Sequence, residues 1–191
     1  MADETLPWLV FPPAVDLANT VIDTPAGDVD LLESEEQLAT WIEIERERIP
    51  GVEAISGRLE EVRGLREDVL ALLRARATGK RPPEEPRRRI NEISAAAPVH
   101  VSLTPDGQVV EELAAKDPYS RFEATVARSA IELGDRAESR LSICGAPSCG
   151  MLYLRDHPRQ VWCTKACGNR ARVARHAARL RRRRARPAGH A

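Results

Sequence analysis

The chain has 191 residues, with 29 Lys+Arg against 29 Asp+Glu, so its formal net charge is zero. At 42% hydrophobic and 30% charged it has the composition of a soluble globular protein, which excludes wholesale disorder. No apolar run approaches the ~20 residues needed to cross a bilayer. The acidic, proline-broken start Met1-Ala-Asp-Glu-Thr5 has neither a basic region nor an apolar core, so a cytoplasmic protein without a membrane partner is expected.

In chain order, Val15 to Val21 reads as a short apolar-periodic helix, with Asp16 and Thr20 at i, i+4 and Asn19 beside them. These three polar residues are candidates for a small-ligand site, or for capping and local hydrogen bonding. Ser34-Glu-Glu-Gln37 is a capping box that opens a helix through Trp41 to about Arg48. Ile55 to Ala77 carries Leu59, Val62, Leu65, Val69, Leu72 and Leu73 at helical spacing, and Thr78-Gly-Lys-Arg-Pro-Pro83 ends it. A further helix covers Glu84 to Ala97. Val99–Leu103 and Gln108–Val110 flank Pro105-Asp-Gly107, a hairpin signal, and a last helix runs from Pro118 to Leu133. Trp8 and Trp41 fit a core, while His100 alternates with Val99 and Val101 and so faces solvent or a polar contact. Residues 1–138 thus read as a mostly helical domain with a small β-hairpin. They hold no phosphate loop, no G-x-S-x-G and no H-E-x-x-H, so no catalytic residue is assigned and enzyme activity is not expected.

Charge is unevenly spread. Residues 1–140 hold 17 basic and 28 acidic side chains, a net of −11, whereas residues 141–191 hold 12 basic ones against Asp156 alone, a net of +11. A basic block with almost no acids points to a polyanionic partner. The rival partners are an acidic protein and the chain's own acidic domain.

All four cysteines lie in the basic piece, as Cys144, Cys149, Cys163 and Cys167, with spacing C-x4-C-x13-C-x3-C. Two close pairs a dozen residues apart suit one tetrahedral structural zinc ion, and disulfides are disfavoured in a cytoplasmic chain. Gly and Pro in Cys144-Gly-Ala-Pro-Ser-Cys149-Gly allow a tight loop, and Gly150 can take up positive φ. Met151–Leu154 reads as a short strand and Asp156-His-Pro158 as a turn. Cys163 and Cys167, at i, i+4, fit one face of a first helical turn. A loop pair followed by a helix-start pair resembles a treble clef. His157 is a rival ligand, but its turn setting and the complete cysteine set favour the thiolates.

From Thr164 to about Arg184 no proline interrupts, and Pro187 and Gly189 mark the end. Val173, Ala177 and Leu180 form a narrow apolar stripe. The candidate DNA contacts are Lys165, Arg170, Arg172, Arg175, Arg179, Arg182 and Arg183, on a helix of ~30 Å that suits a major groove. Aromatic stacking residues are nearly absent here, which favours duplex DNA over single strands.

Cys163-Thr-Lys-Ala-Cys167-Gly168-Asn169-Arg170, preceded by Trp162 and by Cys144-x4-Cys149, resembles the CGNR zinc finger of bacterial proteins. That resemblance implies a four-cysteine finger that binds DNA. Gly168 would let another backbone approach the helix, Asn169 would bond the knuckle loop, and Arg170 would reach phosphate or the acidic domain. Upstream, Val15-Asp-Leu-Ala-Asn-Thr20, the Leu31/Leu38/Trp41 segment and the long Leu-rich helix resemble the ABATE domain of stress-induced transcription regulators. The combined expectation is an α+β protein with an ABATE-like sensing or interaction domain (1–138), a CGNR-type finger (139–186) and a disordered tail (187–191). It would be a transcription regulator bearing one zinc ion, with duplex DNA as partner, a small-molecule effector on the first domain, and a homodimer as one form. The alternative is an interaction module whose basic helix docks on an acidic surface.

Overall fold

The computed structural model describes residues 11–24, 27–135 and 140–185. Trp8, the tail 187–191 and the side chain of Arg183, singled out above, lie outside the described residues.

Pro12 and Pro13 start helix α1 (Pro13–Ala18), where the fixed φ of proline suits the first turn. The helix does not continue to Val21 as its periodicity suggests. Thr20 donates its hydroxyl back to the Leu17 carbonyl (2.8 Å), and the chain turns into β1 (Val21–Thr24), antiparallel to β2 (Gly27–Asp30). This second hairpin was not expected.

Helix α2 (Glu35–Glu45) begins at the expected capping box: Gln37 N donates to Ser34 Oγ and Ser34 N donates to Gln37 Oε1. A 3₁₀ turn (Val52–Ile55) follows. Gly51 before it has φ +82°, and a Cβ there would sit 2.1 Å from the Pro118 carbonyl oxygen, so only glycine fits. A second left-handed glycine, Gly57 (φ +74°), delays α3 to Leu59–Ala77 rather than starting it at Ile55. Then come α4 (Glu84–Ala96), the hairpin β3 (Val99–Leu103) and β4 (Val109–Leu113), and α5 (Pro118–Asp135), close to their expected bounds. The last elements are the hairpin β5 (Leu141–Ile143) and β6 (Leu152–Leu154), and α6 (Lys165–Ala185). Strand β5 was not anticipated, being only three residues long.

Helices α1, α3, α4 and α5 pack around one apolar core that includes Leu17, Val62, Val69, Leu73, Ile90, Phe122 and Val126. Trp41 joins it, edge-on to Phe122 with centroids 6.3 Å apart. His100 is exposed, as expected for its strand face.

The same core takes in Leu141 and Leu152 from β5 and β6, which lie against α3. Buried Asn19 seals this junction: its Nδ2 donates to the Leu152 carbonyl (2.9 Å) and its Oδ1 accepts from Leu152 N (2.9 Å). One amide side chain thereby satisfies both polar groups of a buried backbone residue. The hairpin that opens the basic piece is thus built into the core of the acidic one.

Candidate metal centre

The turn of the β5–β6 hairpin supplies the first pair of sulfurs. Cys144 N donates to the Met151 carbonyl (2.8 Å), extending the ladder to the loop, and Ser148 and Gly150 take left-handed φ of 59° and 62°. This tight reversal brings Cys149 back beside Cys144. The second pair comes from the start of α6. Thr164 Oγ1 accepts from Cys167 N (3.2 Å), the bond of an N-cap residue, and sets the first turn.

The four Sγ atoms lie within 4.8 Å of one another. Cys149–Cys163, Cys163–Cys167 and Cys167–Cys149 are separated by 3.6, 3.5 and 3.7 Å. A tetrahedron with Zn–S bonds of ~2.3 Å has edges of about 3.8 Å, close to these distances, whereas a disulfide would need ~2.05 Å. The cysteines are therefore arranged to bind one metal ion, and they are not disulfide-bonded.

Electrostatics agrees. Without a cation the sulfurs hold their protons unequally: hydrogen bonding from Cys163 pulls the Cys149 thiol down to about 5. The same bond, with burial, pushes Cys163 far up. A divalent ion removes that conflict by stabilising all four thiolates. Two N–H donors already point at sulfur, Cys163 N to Cys144 Sγ (3.4 Å) and Arg170 Nη2 to Cys167 Sγ (3.0 Å). They offset part of the anionic charge that a four-thiolate site keeps. Four protein sulfurs would fill the positions of a tetrahedral ion and leave none open to a substrate. His157 lies exposed in its turn, outside the cluster.

The signature residues after Cys167 take places that differ from expectation. Gly168 makes room for a side chain rather than a backbone: a Cβ there would stand 2.9 Å from Trp162 Cδ1. Asn169 does not bond the knuckle loop. It is exposed, and its Oδ1 accepts from Arg172 Nη2 at 3.5 Å. Arg170 turns back to the metal cluster.

Cys167 must face the other sulfurs, and this fixes the rotation of α6 about its axis. Ala171, Ala174 and Ala178 follow on the Cys167 face and are buried or half-buried. Of the expected stripe of Val173, Ala177 and Leu180, Ala177 is half-buried, while Val173 and Leu180 point outward, 62% and 42% exposed. Opposite Cys167, Lys165, Asn169, Arg172, His176 and Arg179 recur at alternating four- and three-residue spacing, and all are exposed. Arg175 and Arg182 are also exposed, flanking this row. No acidic residue lies between Lys165 and Ala185.

Residues 12–134 match the family model described as "Putative stress-induced transcription regulator", ABATE, and residues 140–180 match the CGNR zinc finger. The chain belongs to the ABATE family and carries a CGNR zinc finger. A search of curated proteins found no match. In the ABATE portion, Asp16, Asn19 and Thr20 are 0, 1 and 2% exposed, and each is engaged with the protein itself. Asp16 accepts from Arg48 Nη2 (2.7 Å), Asn19 clamps Leu152, and Thr20 accepts from Arg66 Nη1 (3.2 Å). Arg66 in turn forms a bidentate pair with Asp30 (2.5 and 2.7 Å).

Sequence reasoning did not single out Arg48 or Glu45. Arg48 bridges two fully buried carboxylates, Asp16 at 2.7 Å and Glu45 at 2.9 Å. Burial, opposed by Arg48 and assisted by Glu45, pushes Asp16 up to about 7, and burial raises Glu45 as well. Only the spatial meeting of α1 with the end of α2 makes this cluster, and local spacing carries no sign of it.

Proposed function

We propose that this chain is a DNA-binding transcription regulator in which one structural zinc ion, held by Cys144, Cys149, Cys163 and Cys167, presents the basic helix α6 to duplex DNA. The observation that carries the reading is the exposed, acid-free row of Lys165, Arg172 and Arg179 opposite Cys167, with Arg175 and Arg182 beside it. Guanidinium groups match phosphate and can be bidentate to guanine. Zinc supplies no chemistry here beyond fixing the loop and the helix start. The first domain, about 1–138, would sense a small-molecule effector, and the finger, about 139–186, would deliver the response in the cytoplasm. No catalytic role is assigned.

The reading in which α6 folds onto its own acidic domain lacks support: among the described residues, no ion pair joins α6 to residues 11–135. Titration of labelled duplex with the zinc-loaded chain tests the proposal. Log affinity should fall with log salt by ~0.9 per phosphate neutralised, a slope near −5 for about six contacts. Absence of duplex binding at low salt would refute it.

A further inference from the structure

We propose that a second site, on the first domain and far in sequence from the cysteines, binds a small amphiphilic anion: an apolar body ending in a carboxylate. A cavity of about 270 Å³ opens between α3, α4 and α5. Leu72, Leu73, Ile90, Ala130 and Ile131 form its apolar wall, while Arg76, Lys80 and Arg87 bring cations to it. No carboxylate lines it among the described residues.

That charge pattern is unusual for its surroundings. Residues 1–140 carry 28 acids against 17 bases, and neighbouring cations are paired: Arg88 with Glu85 and Glu92, and Arg89 with Asp68. Lys80 and Arg87, on the cavity, form no ion pair among the described residues. Lys80 is placed by the end of α3. Gly79 takes a left-handed φ of 68°, its N–H donates to the Arg76 carbonyl (3.1 Å), and Lys80 N donates to Ala75 (2.8 Å). This folds the chain back over the last helical turn and places Lys80 at the cavity. An apolar pocket with a few convergent polar groups is the ordinary form of a small-molecule site, and this volume sits just below the ~300–1,000 Å³ of drug-sized ligands. Inorganic phosphate would leave the wall uncovered, and an alcohol would leave Lys80 and Arg87 unmatched; a carboxylate with a short apolar tail meets both demands.

The cavity is well placed to influence the finger. Helix α3 lines it and also carries β5 and β6, and Ile131 and Gly134 belong to the last turns of α5 before the finger begins. That regulatory consequence rests on the DNA-binding reading; the binding site does not.

Isothermal titration of the full, zinc-loaded chain with octanoate, 1-octanol and inorganic phosphate tests the proposal without DNA. Octanoate is expected to bind one per chain and at least tenfold more tightly than octanol or phosphate. The double variant Lys80→Gln/Arg87→Gln, at exposed positions, should weaken octanoate tenfold or more while keeping the thermal midpoint. Ile131→Trp, which fills the cavity, should abolish binding. Any of three results would overturn the assignment: no saturable octanoate binding at millimolar concentration, equal affinity for octanol or phosphate, or undiminished binding by the double variant.

Discussion

Asn19, which caps the C-terminus of α1, and Leu152 in β6, 133 residues apart in the chain, are joined by two reciprocal 2.9 Å hydrogen bonds. Asn19 and Leu152 are 1 and 2% exposed, so neither backbone group of Leu152 has a ready substitute partner if the amide is lost. Leaving a buried polar group unsatisfied costs about 1–3 kcal/mol. Asn19→Ala should therefore lower unfolding free energy by about 2–4 kcal/mol in urea titrations. It should also speed hydrogen exchange at the Leu152 amide more than at core amides of α3. An unaltered Leu152 amide would refute the clamp.

Gly168 and Trp162 offer a second check. The Trp162 ring stands 2.9 Å from where a Cβ of residue 168 would be, too close for an ordinary contact, so Gly168→Ala forces the indole to shift. Overpacking of this kind costs about 1–3 kcal/mol. The variant should lose metal more readily to a chelator, and Trp162→Ala in the same chain should restore part of the loss. Failure of the double variant to recover would show that the clash is not the cause.

Asp16 predicts a pH dependence. Its ordinary carboxyl value of 3.8 is raised to about 7 in the folded state, chiefly by burial. The folded chain therefore holds a proton that the unfolded chain has released. The contribution is fully present below about 3.8 and is lost as pH rises through about 7. Acid also loosens thiolate–metal bonds, so the useful quantity is the difference between wild type and Asp16→Asn. That difference should move in favour of Asp16→Asn as pH rises from 4 to 8. A difference independent of pH would refute the shifted group.

Metal removal should act beyond the finger. Most helical stability in a protein comes from tertiary packing, and like charges along α6 repel one another, so a chelator that strips the ion should reduce the helical signal of α6. Because Leu141 and Leu152 share the main core, the thermal midpoint of the whole chain should fall in the same titration. Elemental analysis should find about one zinc per chain beforehand, as four thiolates and no open position require. A content far below that would refute the zinc assignment.

The arginines should divide by face. Arg172→Gln/Arg179→Gln should cut duplex affinity and reduce the salt slope by about 1.8, two contacts at ~0.9 each. Arg170→Gln, whose guanidinium touches Cys167 Sγ, should instead loosen the metal with a smaller change in slope. Equal slope changes for the two variants would contradict the orientation of α6.

Much of the architecture was legible locally. The capping box at Ser34, the apolar period of α3, the Pro-Asp-Gly turn and the cysteine spacing each act over a few residues, and each element formed near its expected place. What escaped depends on distant partners or on single torsions. Val21 looked like the continuation of α1 until the Thr20 hydroxyl bonded back to Leu17 and Arg66 took up its oxygen. Gly57 stopped a helix that the apolar pattern extended to Ile55. Asn19 carried the right polarity for a site, but its partner lies too far along the chain for any local pattern to indicate. The outward face of α6 also depended on geometry: the convergence of Cys167 with the other three sulfurs, rather than hydrophobic periodicity, decided which side turned inward.

The sharing of β5 and β6 between the finger and the helical core bears on modularity. A finger of this kind cannot be moved as a cassette. Severed near residue 140, it would carry Leu141 and Leu152 into water, and the remaining half would be left with an empty groove and an unspent amide at Asn19. Recombination onto a new host would succeed only where that host offers both a matching apolar groove and a side chain able to grip the Leu152 backbone. The two parts are in that sense inherited together, and the orientation of the basic helix is a property of the whole chain.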